Sequence, residues 1–333
     1  MGAMRTSLSD LLATGRVLLA DGATGTNYMV AGLGPGEPPE FWTYDRPDDV
    51  MRLHQQFVDA GADIILTNTF GCNPHRLKLH NAQARTYELA KGAAQLARRV
   101  ADAAPRPVVV AGSVGPTGEL FEPMGALNHD DAVASFTDEI RGLLDGGADV
   151  AWIETMSSPE EVHAAVTAAI ACGMPYVVTC SFDTAGRTMM GLMPGAMADT
   201  LAAEPVAPLA MGANCGVGAS DILVTLLEMD GAPHALVSKG NCGVPHFVGT
   251  EIVYTGTPEL MAKYATMAID SGARIVGGCC GTTPVHLAAM RAAIDAYNAG
   301  SRPTLEQIVE QIGPLTNAVP AENAERRTRR SRG

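Results

Sequence analysis

The chain has 333 residues, 47% apolar and 18% charged, enough apolar material for a large core, which excludes wholesale disorder. Lys and Arg number 23 against 36 Asp and Glu, a formal net charge of −13 that argues against a nucleic-acid partner, because phosphates attract cations. Seven cysteines, odd in number and scattered, do not make a disulfide framework. With no basic-then-apolar leader in MGAMRTSLSD and no apolar run near the ~20 residues of a bilayer span, no membrane is expected and a reducing cytoplasm is the simplest setting.

Eight short runs rich in Val, Ile, Leu and Ala predict strands near 17–21, 63–69, 107–112, 149–154, 176–181, 208–214, 235–240 and 274–278. Their starts recur roughly every 37 residues, which suits one strand–helix unit, and their nearly continuous apolar character suits parallel strands covered on both faces. Between them, Leu89, Ala93, Leu96 and Val100 form one helical face, and Val133, Phe136, Ile140, Leu143 and Leu144 another. Helices end at Gly just before a strand in GADIIL (61–66), GADVAW (147–152) and GARIVG (272–277), and more loosely in CGMPYVV (172–178). The expected fold is α/β, a (β/α)8 TIM barrel, over residues 1–300. A doubly wound sheet is the alternative, but DGATGTN (21–27) lacks the G-x-G-x-x-G such a sheet often carries after its first strand. Residues 31–50 read as a loop over the barrel mouth, and 186–197 as a second insertion whose Met residues pack. Residues 301–333 read as an extension, partly helical, then polar and disordered.

A barrel of this kind carries its site at the C-terminal ends of the strands. Those ends hold Asp21, Asn68, Thr69, Ser113, Glu154, Ser181, Asn214, Cys215, Asn241, Cys242, Cys279 and Cys280. Five of the seven cysteines, counting Cys72, follow predicted strands. GANCGVG (212–218) and GGCCGTT (277–283) bring Cys215, Cys279 and Cys280 to one rim, where three thiolates can bind a soft or borderline metal such as zinc and leave a fourth position open. Spacing alone leaves other readings open: inert buried thiols, or a Cys279–Cys280 pair acting as a non-catalytic redox sensor. A zinc hydrolase fits less well, since such sites lean on His and carboxylate, and none of the scattered histidines is assigned to the metal.

DGATGT (21–26), GADIILTNTFG (61–71), ETMSSPEE (154–161), GANCGVG and GGCCGTT together resemble the homocysteine S-methyltransferase family over roughly residues 10–297. In its length, and in stretches such as AGSVGPTGE (111–119) and SFDTAGRTMMG (181–191), the chain looks like short bacterial members labelled betaine–homocysteine methyltransferases, and it is also similar to the homocysteine-binding module of cobalamin-dependent methionine synthase. The resemblance implies an enzyme that moves a methyl group to the thiol of homocysteine, giving methionine, with Zn2+ held by Cys215, Cys279 and Cys280. Asn241 matches a resting-state zinc ligand, although Cys242 beside it leaves that fourth ligand open. Asp21 and Gly22 match positions that hold the amino-acid end of homocysteine, and Glu154 the carboxylate facing its ammonium; Thr69 on the same rim is counted with them. The plain alternatives are a helix cap for Asp21 and a barrel salt bridge for Glu154.

For the donor, Trp42 resembles a tryptophan that helps bind betaine in animal enzymes, with Tyr44 nearby. The tyrosines those enzymes place after strands two and four are here Gly71 and Thr155. The implied donor is betaine or a related methylated onium compound held by aromatic faces. S-methylmethionine, or methylcobalamin on a partner protein, is the alternative, and no recognisable cobalamin- or folate-binding module follows residue 300. The sequence does not fix oligomeric state; a homo-oligomer with residues 301–333 as an arm is compatible with it.

Overall fold

A computed structural model of the chain describes residues 5–248 and 251–316. Eight parallel strands form one sheet: β1 (Leu18–Leu19), β2 (Ile64–Leu66), β3 (Val109–Val114), β4 (Val150–Met156), β5 (Tyr176–Cys180), β6 (Ala210–Cys215), β7 (Ala235–Gly240) and β10 (Ala273–Gly278). Neighbours follow chain order from β2 to β7, then β10, then β1. A parallel bridge between Ala20 and Ile64, with Asp63 N donating to Leu19 O and Asp21 N to Ile64 O, joins β1 to β2 and completes the (β/α)8 ring.

The strand period of two sorts the apolar side chains into two cores. Leu18, Ala20, Ile64, Leu66, Val109, Ala111, Val150, Trp152, Val177, Ala210, Val237 and Ile275 fill the barrel, with Leu8 and Leu11 of the helix Leu8–Ala13 packed into the same cluster. The alternate residues, among them Leu19, Ile65, Val110, Ile153 and Val178, face the surrounding helices. The predicted helical faces lie on Thr86–Ala103 and His129–Gly146. Leu89, Ala93, Leu96, Val100, Phe136, Ile140 and Leu143 are buried there and Val133 partly so, but Leu144 is exposed: it sits at the edge of the stripe, turned to solvent. Gly61, Gly147 and Gly272, at the repeated junction, have φ of 102, 97 and 101°, the left-handed backbone that reverses the chain into the next strand.

Three expectations need correction. Residues 31–50 are not all loop. A short turn of helix, Pro39–Phe41, leads into Trp42–Asp45, and a 13-residue helix begins at Pro47, where a proline lacking N–H is well placed. In the insertion 186–197, Met189, Met190 and Met193 are exposed, and only Met197 just beyond is deeply packed. The loop after β7 holds an unexpected antiparallel hairpin, β8 (Pro245–Val248) with β9 (Glu251–Tyr254).

After the last barrel helix, Pro284–Asp295, the helix Leu305–Gln311 buries Ile308. The chain then returns to the helix Ala219–Glu228: Ser220 donates to Gly313 O, and Thr316 N donates to Asp221. The tail expected to be disordered lies, from 317 on, outside the described residues. No helix among the described residues is long and apolar enough to cross a membrane.

Candidate active site

A cavity of about 620 Å³ opens at the C-terminal ends of the strands. Gly22, Thr69, Ser113, Glu154, Thr155, Cys215, Lys239, Cys279 and Cys280 line its inner part, with Glu40, Phe70, Arg76, Leu79 and His80 also on its walls. One sulfur from each of Cys215, Cys279 and Cys280 lies within 4.8 Å of the other two. The predicted triad is thus brought together, at the ends of the sixth and eighth barrel strands. The thiols hydrogen-bond among themselves: Cys280 is pushed down by its bonds with Cys215 and Cys279, while Cys215 is pushed up by its bonds with Cys279 and Cys280. Three sulfurs this close cannot all ionise unless a cation joins them. The donor set is therefore suited to a thiophilic metal.

The backbone around the triad is held in an uncommon shape. Cys215 has φ 60° and Thr155 φ 61°, left-handed values that are costly for a β-branched residue. Asn214 keeps them there. Its Oδ1 accepts from Thr155 N at 2.8 Å and from Thr179 Oγ1 at 2.7 Å, and its Nδ2 donates to Thr155 Oγ1 at 2.7 Å. One buried amide thus couples the ends of β4 and β6, next to Glu154 on one side and Cys215 on the other.

Asn241 braces the other side. Its Nδ2 donates to Gly216 O at 3.0 Å and its Oδ1 accepts from Cys280 N at 3.1 Å, so the side chain expected as a metal ligand ties the two cysteine loops through their backbones. Cys242 is not part of the thiol group; it is buried against Gly256, where a Cβ would meet its sulfur at 2.6 Å. Tyr254, on β9, hydrogen-bonds Cys280.

The acidic side chains divide. Glu154 lines the cavity and accepts from Ser113 Oγ through Oε1; burial raises it to about 7, against the pull of Lys239. Asp21 does not line the cavity. Its Oδ2 accepts from Leu66 N at 2.7 Å and its Oδ1 from Lys239 Nζ at 2.8 Å. Burial works against the Lys239 charge, but Asp21 and Glu154 hold the ammonium above its usual value. Gly22 has no room for a side chain: a Cβ would stand 2.6 Å from Thr282 O and 2.9 Å from the Phe57 ring. Thr69 is buried, donating to Ser113 O at 2.6 Å.

Trp42 and Tyr44 are not brought to the cavity. Trp42 is buried against Tyr28, ring centroids 4.9 Å apart, with the Arg46 guanidinium 4.0 Å from its own centroid. Tyr44 points the other way, toward the helix Thr86–Ala103, its hydroxyl donating to Glu88 O. They stand two residues apart on one short helix, about 200° around its axis, so the two rings point to opposite sides and neither lines the cavity.

Sequence reasoning missed Lys239, Glu40, Phe70 and Arg76. A signal existed for Lys239: a lone lysine in the apolar strand ALVSKG can be buried only if it is paired. Glu40 is buried with Oε1 accepting from Gly71 N at 2.7 Å, and a Cβ at Gly71 would press on that carboxylate at 2.9 Å.

A sequence model of the homocysteine S-methyltransferase family matches residues 2–294. The chain is 32% identical to the methionine synthase of Mycobacterium leprae over 94% of its length, and 32% identical to that of Mycobacterium tuberculosis over 95%. It spans only 27% of the length of each of these relatives. Among solved structures, it superposes on the metallated form of the homocysteine methyltransferase MmuM from Escherichia coli with a TM-score of 0.72. That match has 24% identity and covers 85% of this chain and 98% of the other. A methyltransferase from Methanosarcina mazei follows at a TM-score of 0.53 and 12% identity, covering 84% and 94%. These two likenesses bear on the barrel alone.

Proposed function

The chain belongs to the homocysteine S-methyltransferase family, and from that membership we propose that it methylates the thiol of homocysteine, using a small methylated onium compound as donor. The observation that carries the reading is the convergence of three sulfurs within 4.8 Å at the wall of a cavity that also presents Glu154. In the reaction a bond forms between sulfur and the methyl carbon while the bond from that carbon to the donor's cationic nitrogen or sulfur breaks. The bonding pair stays with the leaving atom, and the thiol proton leaves to solvent. The products are methionine and the demethylated donor.

A free thiol, with its pKa near ~8.5, is only a few per cent thiolate at pH 7. Zinc held by Cys215, Cys279 and Cys280 would supply a Lewis acid that keeps a fourth sulfur deprotonated at neutral pH. The protein's own groups do the rest by placement. Glu154, fixed by Ser113, faces the substrate ammonium. Asn214 and Asn241 hold the strand ends that carry the cysteines. The alignment of sulfur, methyl carbon and leaving atom is the main demand on the site.

The outer cavity supports an onium donor, betaine included. Glu40 offers a buried carboxylate to a cation, Phe70 an aromatic face, and Arg76 a partner for a donor carboxylate. The test is a panel of donors, betaine, S-methylmethionine and methylcobalamin, each incubated with homocysteine and the zinc-loaded protein. Methionine formed from an onium donor supports the reading. Methionine from none of them, in a protein that holds zinc, contradicts it.

A further inference from the structure

Among the described residues, the inner part of the cavity wall carries one cation. Lys239 is almost sealed from solvent, 2% exposed, yet it lines the cavity beside Glu154 and the three thiols, while Asp21 stands behind it. Its ammonium has three N–H groups. Those with protein partners reach Asp21: Oδ1 at 2.8 Å and the backbone O at 3.3 Å. Among the described residues no third acceptor is present. Asp21 in turn has both oxygens engaged by the protein, Oδ1 by Lys239 and Oδ2 by Leu66 N, and does not line the cavity. Glu154 is the complement: Oε1 takes the Ser113 hydroxyl, and Oε2 accepts from no described group.

The inner wall therefore presents one open acceptor on a carboxylate and one open donor on an ammonium. That pair matches an α-amino acid zwitterion, whereas two carboxylates alone would match only its ammonium and repel its carboxylate. Resting on the homocysteine reading above, we propose that Lys239 binds the α-carboxylate of the amino-acid thiol. Asp21 is a positioning residue that fixes the lysine, and Glu154 takes the ammonium. The site thereby selects thiols bearing a complete zwitterion over thiols bearing either charge alone.

Calorimetric binding to the zinc-loaded protein tests this with three ligands: homocysteine, 3-aminopropane-1-thiol, which lacks the carboxylate, and 4-sulfanylbutanoate, which lacks the ammonium. The Lys239→Met change leaves Asp21 buried and unpaired, so the double variant Asp21→Asn with Lys239→Met is measured beside it, with zinc content as the check on folding. In the double variant homocysteine should bind about 10- to 100-fold more weakly, while 3-aminopropane-1-thiol should change by less than about twofold. In Glu154→Gln the pattern should invert, with 4-sulfanylbutanoate unaffected. Equal weakening of all three ligands in the double variant, or unchanged homocysteine binding, overturns the assignment to Lys239. A wild-type protein that holds zinc and binds none of the three thiols removes the homocysteine reading, and this inference with it.

Discussion

The Nζ of Lys239 lies 2.8 Å from Oδ1 of Asp21, with side-chain exposures of 2% and 1%. It joins β7 to the end of β1 across the strand that lies between them in the ring, because β10 pairs with both. A pair so buried owes its net effect to a balance of desolvation against attraction, and removing one member leaves the other charge stranded. Lys239→Met alone should therefore cost about 3–5 kcal/mol in urea unfolding, whereas adding Asp21→Asn should recover much of that loss. Additive costs for the two changes would show that the pair is not coupled.

Asn214 makes three hydrogen bonds that no smaller side chain can replace. Asn214→Ala leaves Thr155 N, Thr155 Oγ1 and Thr179 Oγ1 without that partner and frees Thr155 from its left-handed backbone. A loss of about 2–4 kcal/mol is expected, at about 1 kcal/mol per bond plus the stranded groups. Because Glu154 and Cys215 flank the bracket, homocysteine binding should weaken as well, by about tenfold or more. Calorimetry and urea titration on one preparation check both; a variant that loses stability but binds homocysteine normally denies Asn214 its role in placing the site.

His54 is buried with Nε2 lacking a partner, and burial lowers its pKa from the ordinary 6.5 to about 4. The folded state keeps it neutral while the unfolded chain takes up a proton, so the stability involved is full above pH 6.5 and is lost as pH falls toward 4. The total is about 3 kcal/mol, of which about 2 is gone by pH 5. In urea unfolding at pH 7.5 and pH 5, His54→Leu should lose about 2 kcal/mol less between the two than the wild type. The same pH slope in both proteins would rule out His54 as the source.

The donor ring is open to a direct comparison. Trp42 packs on Tyr28 away from the cavity, whereas Phe70 lines it. Phe70→Ala should raise the KM for an onium donor by about 2- to 30-fold, the range expected for a lost cation–π contact of ~0.5–2 kcal/mol. Trp42→Phe should leave that KM within about twofold, since an aromatic still fills the packed site. The reverse result would restore Trp42 to the donor.

The barrel was legible because each strand carries its own apolar run and several helices announce their ends with Gly, signals that need no partner to be read. The placement of Cys215, Cys279 and Cys280 on one rim followed from strand order, whereas their approach to within 4.8 Å did not. What escaped depends on relations across the ring. That Asp21 faces Lys239 rather than the cavity is set by β10 placing β1 and β7 on its two sides, which no local pattern reveals. The rings of Trp42 and Tyr44 were misplaced because 31–50 read as loop, where Pro and Gly at 34–39 masked the short helix that follows. The β8–β9 hairpin had a faint signal, Gly-Thr between the apolar pairs Phe247–Val248 and Ile252–Val253, but each strand is only four residues long.

The most direct measurement is the zinc content of the fully reduced protein, taken with methionine formation, in wild type and in Cys215→Ser, Cys279→Ser and Cys280→Ser. About one zinc per chain in wild type, with metal and methionine formation both lost in each variant, is the expected result. A wild-type chain without zinc, or a serine variant that keeps full activity, would contradict the assignment of the three sulfurs to a single catalytic metal.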